Sequence, residues 1–388
     1  MNHILRKSNE SQASIGLGKY CSSLRDRSLS FMSFLCLAIL LSTPKIARSQ
    51  NQELNWQILG DLSLEYPHTT VIPNSFTIGD IDLWFQRSFG EQWSAMGELM
   101  LMGMAGDSMY MIHPARLFLE HSHSDSLQIR IGQIHTPIGI YSQRYPHGGK
   151  VFEPTIHRPL LARVEDGADI LPYHTLGVSA RGTQMLSESL EMMYIVGIGN
   201  GYNHGNYDTN FQKSPFFQIR LSPLDIFGLS FGLSGYHDLI TKDEIKGSIE
   251  QSIFAFSLLY DSFPWDILVE SYVARHSPTP GDSFKFFSPR DNDEITTVDG
   301  KQPNKQLYGG YLQASYMWDE QAVYGMLEAF NRDKGDYLFN EHTAYMEYRG
   351  MEMGHRWHIN QHLVFKSAYS YVWSDALHRL DFQLAYRL

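Results

Sequence analysis

The sequence predicts an all-β fold, a transmembrane antiparallel β-barrel of about 16 strands. Three observations lead to this prediction. Segments that alternate apolar and polar side chains recur along the chain up to its final residue. The connections between these segments are alternately short and long. Beyond the leader there is no run of about 18 apolar residues, which excludes a helical membrane protein.

The first segment, residues 1–49, has the pattern of a secretory signal peptide. Arg25 and Arg27 precede an apolar run over residues 29–41, and small residues surround the expected cleavage site at Ser49. The run is shorter than the roughly 20 residues that a membrane-spanning helix needs. We therefore expect cleavage after residue 49, which leaves residues 50–388 as the barrel domain.

The composition limits the partners and the covalent chemistry. The only cysteines, Cys21 and Cys36, lie in the leader, so the mature chain is expected to have no disulfide. The formal net charge is −11 and the mean hydropathy is −0.28. The acidic excess argues against nucleic acid as a partner, because phosphate binding needs lysine and arginine.

About 16 segments read as strands, and each is close to the roughly 9–11 residues that a tilted strand needs to cross a bilayer. Leu127, Ile129 and Ile131 alternate with Gln128 and Arg130, for example. The segments are 56–66, 76–88, 93–104, 115–121, 127–135, 174–182, 190–199, 216–222, 228–236, 250–260, 265–275, 307–318, 321–332, 342–353, 363–373 and 379–388.

The connections sort by length into two sets. The odd-numbered connections are mostly long and polar, and the longest covers residues 136–173. The even-numbered ones include tight turns such as 90–92 and 319–320. Short turns at one end and long loops at the other are typical of bacterial outer-membrane barrels.

Six tryptophans fall at the expected short-turn end of their strands. Tryptophan prefers the interface between membrane and water, so this position is the one expected in a barrel. They are Trp56, Trp84, Trp93, Trp265, Trp318 and Trp357.

The final segment explains how the barrel would close. Leu380, Phe382 and Leu384 fall on one face of a strand, whereas Asp381 and Gln383 fall on the other. The pattern runs to Leu388 without a polar tail. An exposed apolar edge invites aggregation, and a closed barrel removes it by pairing its last strand with its first.

These features together resemble the Gram-negative outer-membrane porins. The resemblance rests on the alternating terminus, the even strand count, the long third outer loop, and the junction at residues 132–139, where proline and glycine turn the chain off the wall. The chain ends in Leu388, whereas the family usually ends in phenylalanine. The resemblance implies a third loop folded into the pore, a homotrimer, and an outer membrane with its lipid, lipopolysaccharide and barrel-assembly machinery as surroundings.

The resemblance also implies a channel for passive diffusion of small hydrophilic solutes or ions, narrowed where acidic loop residues face a basic wall. Alternation directs Arg116, Arg130 and Arg220 toward the lumen as a candidate basic wall, together with Glu120. The third loop supplies the remaining candidates, which are Arg144, Arg158, Arg163, Glu165 and Asp166. The alternative is that neighbours such as Arg163 and Glu165 only pair with each other and fix the loop.

Four histidines, His135, His147, His157 and His174, flank or occupy the third loop. Imidazole binds zinc and copper, but no pair among them has the tight spacing of a metal motif. Histidines at strand ends are often simply solvated. The sequence therefore predicts neither a metal site nor a cofactor.

Three other functions stay open at this point. A barrel enzyme would need an activated nucleophile. The Gly-x-Ser-x-Gly match at residues 228–232 falls within a predicted strand and not at the strand-to-helix turn of a nucleophile elbow, so we expect no enzymatic activity. A plugged barrel would act as a surface adhesin and would carry little current. A soluble secreted β-protein would fail to partition with the outer membrane.

Overall fold

The structure is a computed structural model. It describes residues 54–67, 75–103, 110–145, 147–162, 171–201, 210–241, 248–279, 285–287, 294–296, 304–333, 336, 347–374 and 376–388. The predicted leader, residues 1–49, lies outside the described residues. Among the described residues, no helix is long and apolar enough to cross a bilayer.

The described residues form nineteen strands, one short α-helix and one 3₁₀ turn. The helix, α1, is Tyr141–Arg144, and the 3₁₀ turn is Leu160–Ala162. The strands are β1 Asn55–Pro67, β2 Ser75–Ile78, β3 Ile81–Phe89, β4 Trp93–Gly103, β5 Tyr110–Ser124, β6 Leu127–His135, β7 His174–Ser187, β8 Leu190–Gly199, β9 Ser214–Pro223, β10 Leu229–Thr241, β11 Ser248–Ser262, β12 Trp265–Pro278, β13 Lys285–Phe287, β14 Glu294–Thr296, β15 Lys305–Trp318, β16 Gln321–Arg332, β17 Glu347–Asn360, β18 Leu363–Val372 and β19 Leu377–Arg387.

Seventeen of these strands form one sheet that closes on itself. Strands β2 and β3 both pair with β1, on either side of a break at Gly79 and Asp80, so they make a single pass through the wall. Each other strand pairs with its neighbour in sequence, and β13 and β14 form a separate hairpin between β12 and β15. The wall is therefore an antiparallel barrel of sixteen passes, and the predicted fold class is confirmed.

The chain terminus closes the barrel as its alternation predicts. Strand β19 pairs with β1 from Leu59↔Arg387 to Pro67↔Arg379. The backbones of Ile58 and Leu388 exchange two hydrogen bonds, of 3.0 and 2.8 Å. Because β1 and β19 satisfy each other's backbone groups, the wall presents no free strand edge at this seam.

The two faces of the wall differ as a bilayer requires. On β11, Phe254 and Phe256 are 56% and 45% exposed on the outer face, whereas Gln251 and Ser257 are buried on the inner face. The inner face also holds buried apolar residues such as Ile253. These inner apolar residues belong to one cluster with apolar residues of the third connection, residues 136–173.

Strands β5, β7, β10 and β17 extend five or more residues beyond the predicted segments. Strand β5 begins at Tyr110, although the sequence predicts a start at residue 115, because a bulge beside Pro114 lets the strand continue past a residue without a backbone N–H. Strand β17 extends to Asn360, beyond the predicted end at residue 353. Residues 342–346, the predicted start of that strand, lie outside the described residues.

The tryptophans follow the predicted pattern with one exception. Trp56, Trp93, Trp265, Trp318 and Trp357 are exposed at the short-turn end of their strands. Trp84 instead lines an internal cavity. The sequence prediction located Trp84 along its strand correctly but did not identify the face on which it lies.

Candidate functional site

The candidate functional site lies inside the barrel, where the third connection meets the wall. The described parts of this connection are residues 136–145, 147–162 and 171–173. Apolar side chains of this segment are buried in a cluster with wall residues such as Tyr272, Tyr311 and Phe330. The buried members from the connection are Ile138, Ile140, Tyr141, Tyr145, Leu160, Leu161 and Ala162.

Buried carboxylates of the wall hold the backbone of the connection. The N–H of Ile140 donates to Glu270 on β12, that of Ile156 donates to Glu352 on β17 at 2.9 Å, and that of Leu160 donates to Glu328 on β16 at 2.6 Å. Such charge-assisted bonds are stronger than neutral ones. A loop has no paired strand whose carbonyls could accept hydrogen bonds from its N–H groups. The wall carboxylates accept these bonds instead.

The contacts reach both sides of the barrel. The connection leaves the wall at β6 and returns at β7, and β16 and β17 stand eight passes away from them in the cyclic strand order. On the near side, the N–H of His147 donates to Glu98 on β4 at 3.0 Å. The described part of the connection is therefore held by wall strands half a circumference apart.

A buried ion-pair group holds the connection together internally. Glu153 accepts from Arg158 at 2.7 and 2.9 Å and from Lys150 at 3.1 Å. Burial alone would raise the pKa of Glu153, but the positive charges of Arg158, Lys150 and Lys366 outweigh that effect and lower this pKa below its usual value. Arg158, a predicted constriction residue, is 1% exposed, so it fixes the connection rather than facing an open space.

Five arginines converge on a cavity of about 510 Å³ in the short-turn half of the barrel. They come from β5, β6, α1, β7 and β9, and they are Arg116, Arg130, Arg144, Arg181 and Arg220. Two carboxylates, Glu120 and Asp261, also line the cavity. This one cavity brings together five of the site residues predicted from the sequence, which are Arg116, Glu120, Arg130, Arg144 and Arg220.

Most of these arginines are paired with carboxylates. Arg116 lies 2.5 Å from Glu98, and Arg130 lies 2.5 Å from Glu120. Arg144 contacts Asp261 and Asp266 at 2.9 and 2.8 Å, respectively. Pairing fixes the guanidinium groups in place while the lining as a whole keeps an excess of positive charge.

Arg220 differs from the other arginines of the cavity. Its Nη2 contacts the sulfur of Met193 at 3.3 Å, and it forms no ion pair within the described parts of the chain. An unpaired guanidinium retains its donors for a passing anion. Arg220 is therefore the residue of this cavity that is most available to a solute.

Arg181 is not among the site residues predicted from the sequence. Its Nε lies 3.3 Å from Glu120 and donates to Gln128 at 2.6 Å. Side chains alternate between the two faces of β7, and Arg181 lies on the same face as the buried Ser179. The alternation of the strand could therefore have predicted that Arg181 faces the interior. The other predicted loop residues, Arg163, Glu165 and Asp166, lie outside the described residues, so the predicted acidic side of the constriction stays a prediction.

Comparison with known proteins identifies the fold. No protein-family model and no curated protein sequence matches the chain. The outer-membrane channel DcaP of Acinetobacter baumannii matches with a TM-score of 0.58 and 10% identity over 89% of this chain and 100% of that one. The trimer form of OmpT, an outer-membrane protein of Vibrio cholerae, matches with a TM-score of 0.55 and 10% identity over 87% and 100% of the two chains.

An anion-selective porin from Comamonas acidovorans matches with a TM-score of 0.55 and 10% identity, over 87% of this chain and 99% of that one. All three structures are similar to this chain across nearly their whole length. The chain therefore has the fold of the outer-membrane porins, as the resemblance implies.

Proposed function

We propose that the protein is a channel of the Gram-negative outer membrane for passive diffusion of small hydrophilic solutes, and that its cavity favours anions. The observation that carries this proposal is the convergence of five arginines on one cavity inside a closed barrel. Charged groups that line a confined space bias which ions enter it. No covalent step is part of the proposal, and we assign no catalytic residue.

The outer face supports the membrane location. Large apolar side chains such as Phe254 and Leu327 are more than half exposed there, and water would make such a surface unfavourable. With an even number of passes, the start of β1 and the end of β19 both lie on the short-turn side, which we assign to the periplasm. Outer-membrane lipid, lipopolysaccharide and the barrel-assembly machinery are then the expected partners.

A homotrimer is the oligomeric state that we propose. The support is the similarity in fold to the trimer form of OmpT. Chemical cross-linking of the protein in detergent, followed by mass determination, tests this part separately from conduction.

The third connection is the constriction in this proposal. Its backbone is bonded to wall strands on both sides of the barrel, so it leaves less room than an open barrel of sixteen passes would. Solutes would pass between the connection and the arginine-bearing wall. We therefore expect a small conductance for a barrel of this strand number.

The same contacts favour a second candidate, a barrel that the third connection plugs. Such a protein would serve as a surface adhesin or as a barrel enzyme and would carry no steady current. Recording from the purified protein in a planar bilayer separates the two candidates. Stable current steps support the channel, and a folded but silent barrel supports the plug.

A further inference from the structure

Three histidines that are far apart in sequence meet inside the barrel. His135 is the last residue of β6, His174 is the first residue of β7, and His147 lies in the connection between these strands. All three are buried, at 4%, 8% and 0% exposure, respectively. One ring nitrogen from each lies within 4.8 Å of the other two.

The hydrogen bonds of His135 leave one ring nitrogen available as a ligand. Its Nδ1 lies 2.5 Å from the carbonyl oxygen of Ser142, and a carbonyl only accepts, so Nδ1 carries the proton. The Nε2 atom of the neutral ring then holds a lone pair, and it is buried without a hydrogen-bond partner within the described residues. A backbone carbonyl that orients an imidazole in this way is typical of metal-binding histidines.

The contact between the other two rings leaves one nitrogen of His147 unsatisfied. Nε2 of His147 lies 2.8 Å from Nε2 of His174, so one of the two nitrogens must carry the proton. The Nδ1 atom of His147 is also buried without a partner among the described residues. A hydrogen bond between the rings therefore still leaves His147 with an unsatisfied polar atom.

A carboxylate stands at the edge of the cluster. Oε2 of Glu98 lies 3.9 Å from Nε2 of His135, and Oε1 of Glu98 accepts from the backbone N–H of His147. The two nearest cations are each paired with a carboxylate, Arg116 with Glu98 and Arg158 with Glu153. Three imidazoles beside a carboxylate form a ligand set that suits zinc, copper or nickel.

We propose that His135, His147 and His174 bind a divalent transition-metal ion of the zinc class. The fourth position would be filled by Glu98 or by water. Zinc holds its nitrogen ligands about 3.3 Å apart, so small rotations of the rings bring the present separations to that value. His135 also lines the arginine cavity.

A bound ion would tie the third connection to both of its stems. His147 belongs to the connection, and the other two ligands are the wall residues at which it begins and ends. The site is independent of the proposed channel activity, since a plugged barrel would hold the same ligands.

The test is metal binding to the purified mature protein in detergent after chelator treatment. Zn²⁺ is titrated calorimetrically, and Co²⁺ is added as a spectroscopic probe, because a tetrahedral cobalt site gives intense visible bands. The matched variants are His147→Gln and His123→Gln. His123 is exposed near the opposite, short-turn end of β5, so its replacement controls for general histidine binding.

We expect one Zn²⁺ per chain, with tetrahedral cobalt bands that persist in His123→Gln. Loss of an outer-shell partner typically weakens metal affinity 10–100-fold, so loss of the ligand in His147→Gln should weaken it more than about 100-fold. Equal binding by the two variants, or no tetrahedral band with the unaltered protein, would overturn the proposal. Since the cobalt spectrum needs no variant, a folding failure of His147→Gln does not remove the test.

Discussion

The ammonium group of Lys366 on β18 donates a 2.9 Å hydrogen bond to the backbone carbonyl of Thr155 in the third connection. The same Nζ atom donates to the carbonyl of Lys150 at 2.5 Å. Lys366 is fully buried, so its charge is compensated only by neighbouring protein groups such as these carbonyls. One wall lysine therefore holds two points of the segment that we propose as the constriction.

Replacing Lys366 by methionine should loosen the third connection without opening the wall. The change keeps the apolar stem but leaves two carbonyls without their donor, at a cost of about 1–3 kcal/mol for each one that stays buried. We expect a larger and noisier single-channel current than in the unaltered protein. Lys213→Met is the control, because Lys213 is exposed outside the cavity. An unchanged current in Lys366→Met would show that this anchor does not shape the passage.

Replacing Glu153 by glutamine should have a similar effect and should also reveal a pH dependence. The change leaves Arg158 buried without its counter-charge, which typically costs about 3–5 kcal/mol. Because the pKa of Glu153 is lowered in the folded protein, its stabilising effect is complete above about pH 4.5 and is lost as the pH falls through that lowered pKa.

We therefore expect the current of the unaltered protein to hold steady from neutral pH to below about 4.5. It should rise only as the pH falls through the lowered pKa, where Glu153 becomes protonated in the folded protein. Glu153→Gln should show the raised current already at neutral pH. The control is Glu188→Gln, at an exposed short turn. A current in Glu153→Gln that equals that of the control at every pH would contradict the role of this ion pair.

Replacing Arg130 or Arg220 by glutamate should shift ion selectivity toward cations. Both residues line the arginine cavity, and each replacement changes the local charge from positive to negative. The reversal potential under a salt gradient measures the shift. Arg349→Glu is the control, because this arginine is exposed on the outer face of β17. A reversal potential that is the same in all three variants would remove the cavity from the conduction path.

Deleting residues 145–165 should raise conductance while the barrel stays folded. The deletion removes the buried ion pair of Glu153 and Arg158, whereas the wall keeps its closed hydrogen-bond ladder. Single-channel recording measures the conductance, and the heat-dependent shift in gel mobility reports the folded barrel. A folded deletion variant whose conductance equals that of the full chain would contradict the proposed constriction.

The wall was predictable from the sequence because its signals are local. A strand that faces lipid on one side must alternate apolar and polar side chains, and turn residues mark its ends. Strands β6, β8 and β16 accordingly have the predicted bounds. The same alternation of side chains predicted that Arg116, Arg130 and Arg220 lie on the inner face, where the structure has them.

The interior was less predictable, because it depends on contacts between residues that are distant in sequence. From its position in a loop, Arg158 would be expected to face solvent. In the structure it is buried, where it pairs with Glu153 and donates to the backbone carbonyl of His147. The meeting of His135, His147 and His174 has no sequence signature either, since closure of the connection creates it. Spacing rules for metal motifs describe ligands within one local element and do not cover this case.

In the proposed function, the barrel conducts small solutes through an arginine-lined cavity. The most direct test of this function is the single-channel current of the purified protein in a planar bilayer under a salt gradient. We expect stable steps of small conductance and a reversal potential on the anion-selective side. A folded barrel that stays silent, or one that is cation-selective, would contradict this function.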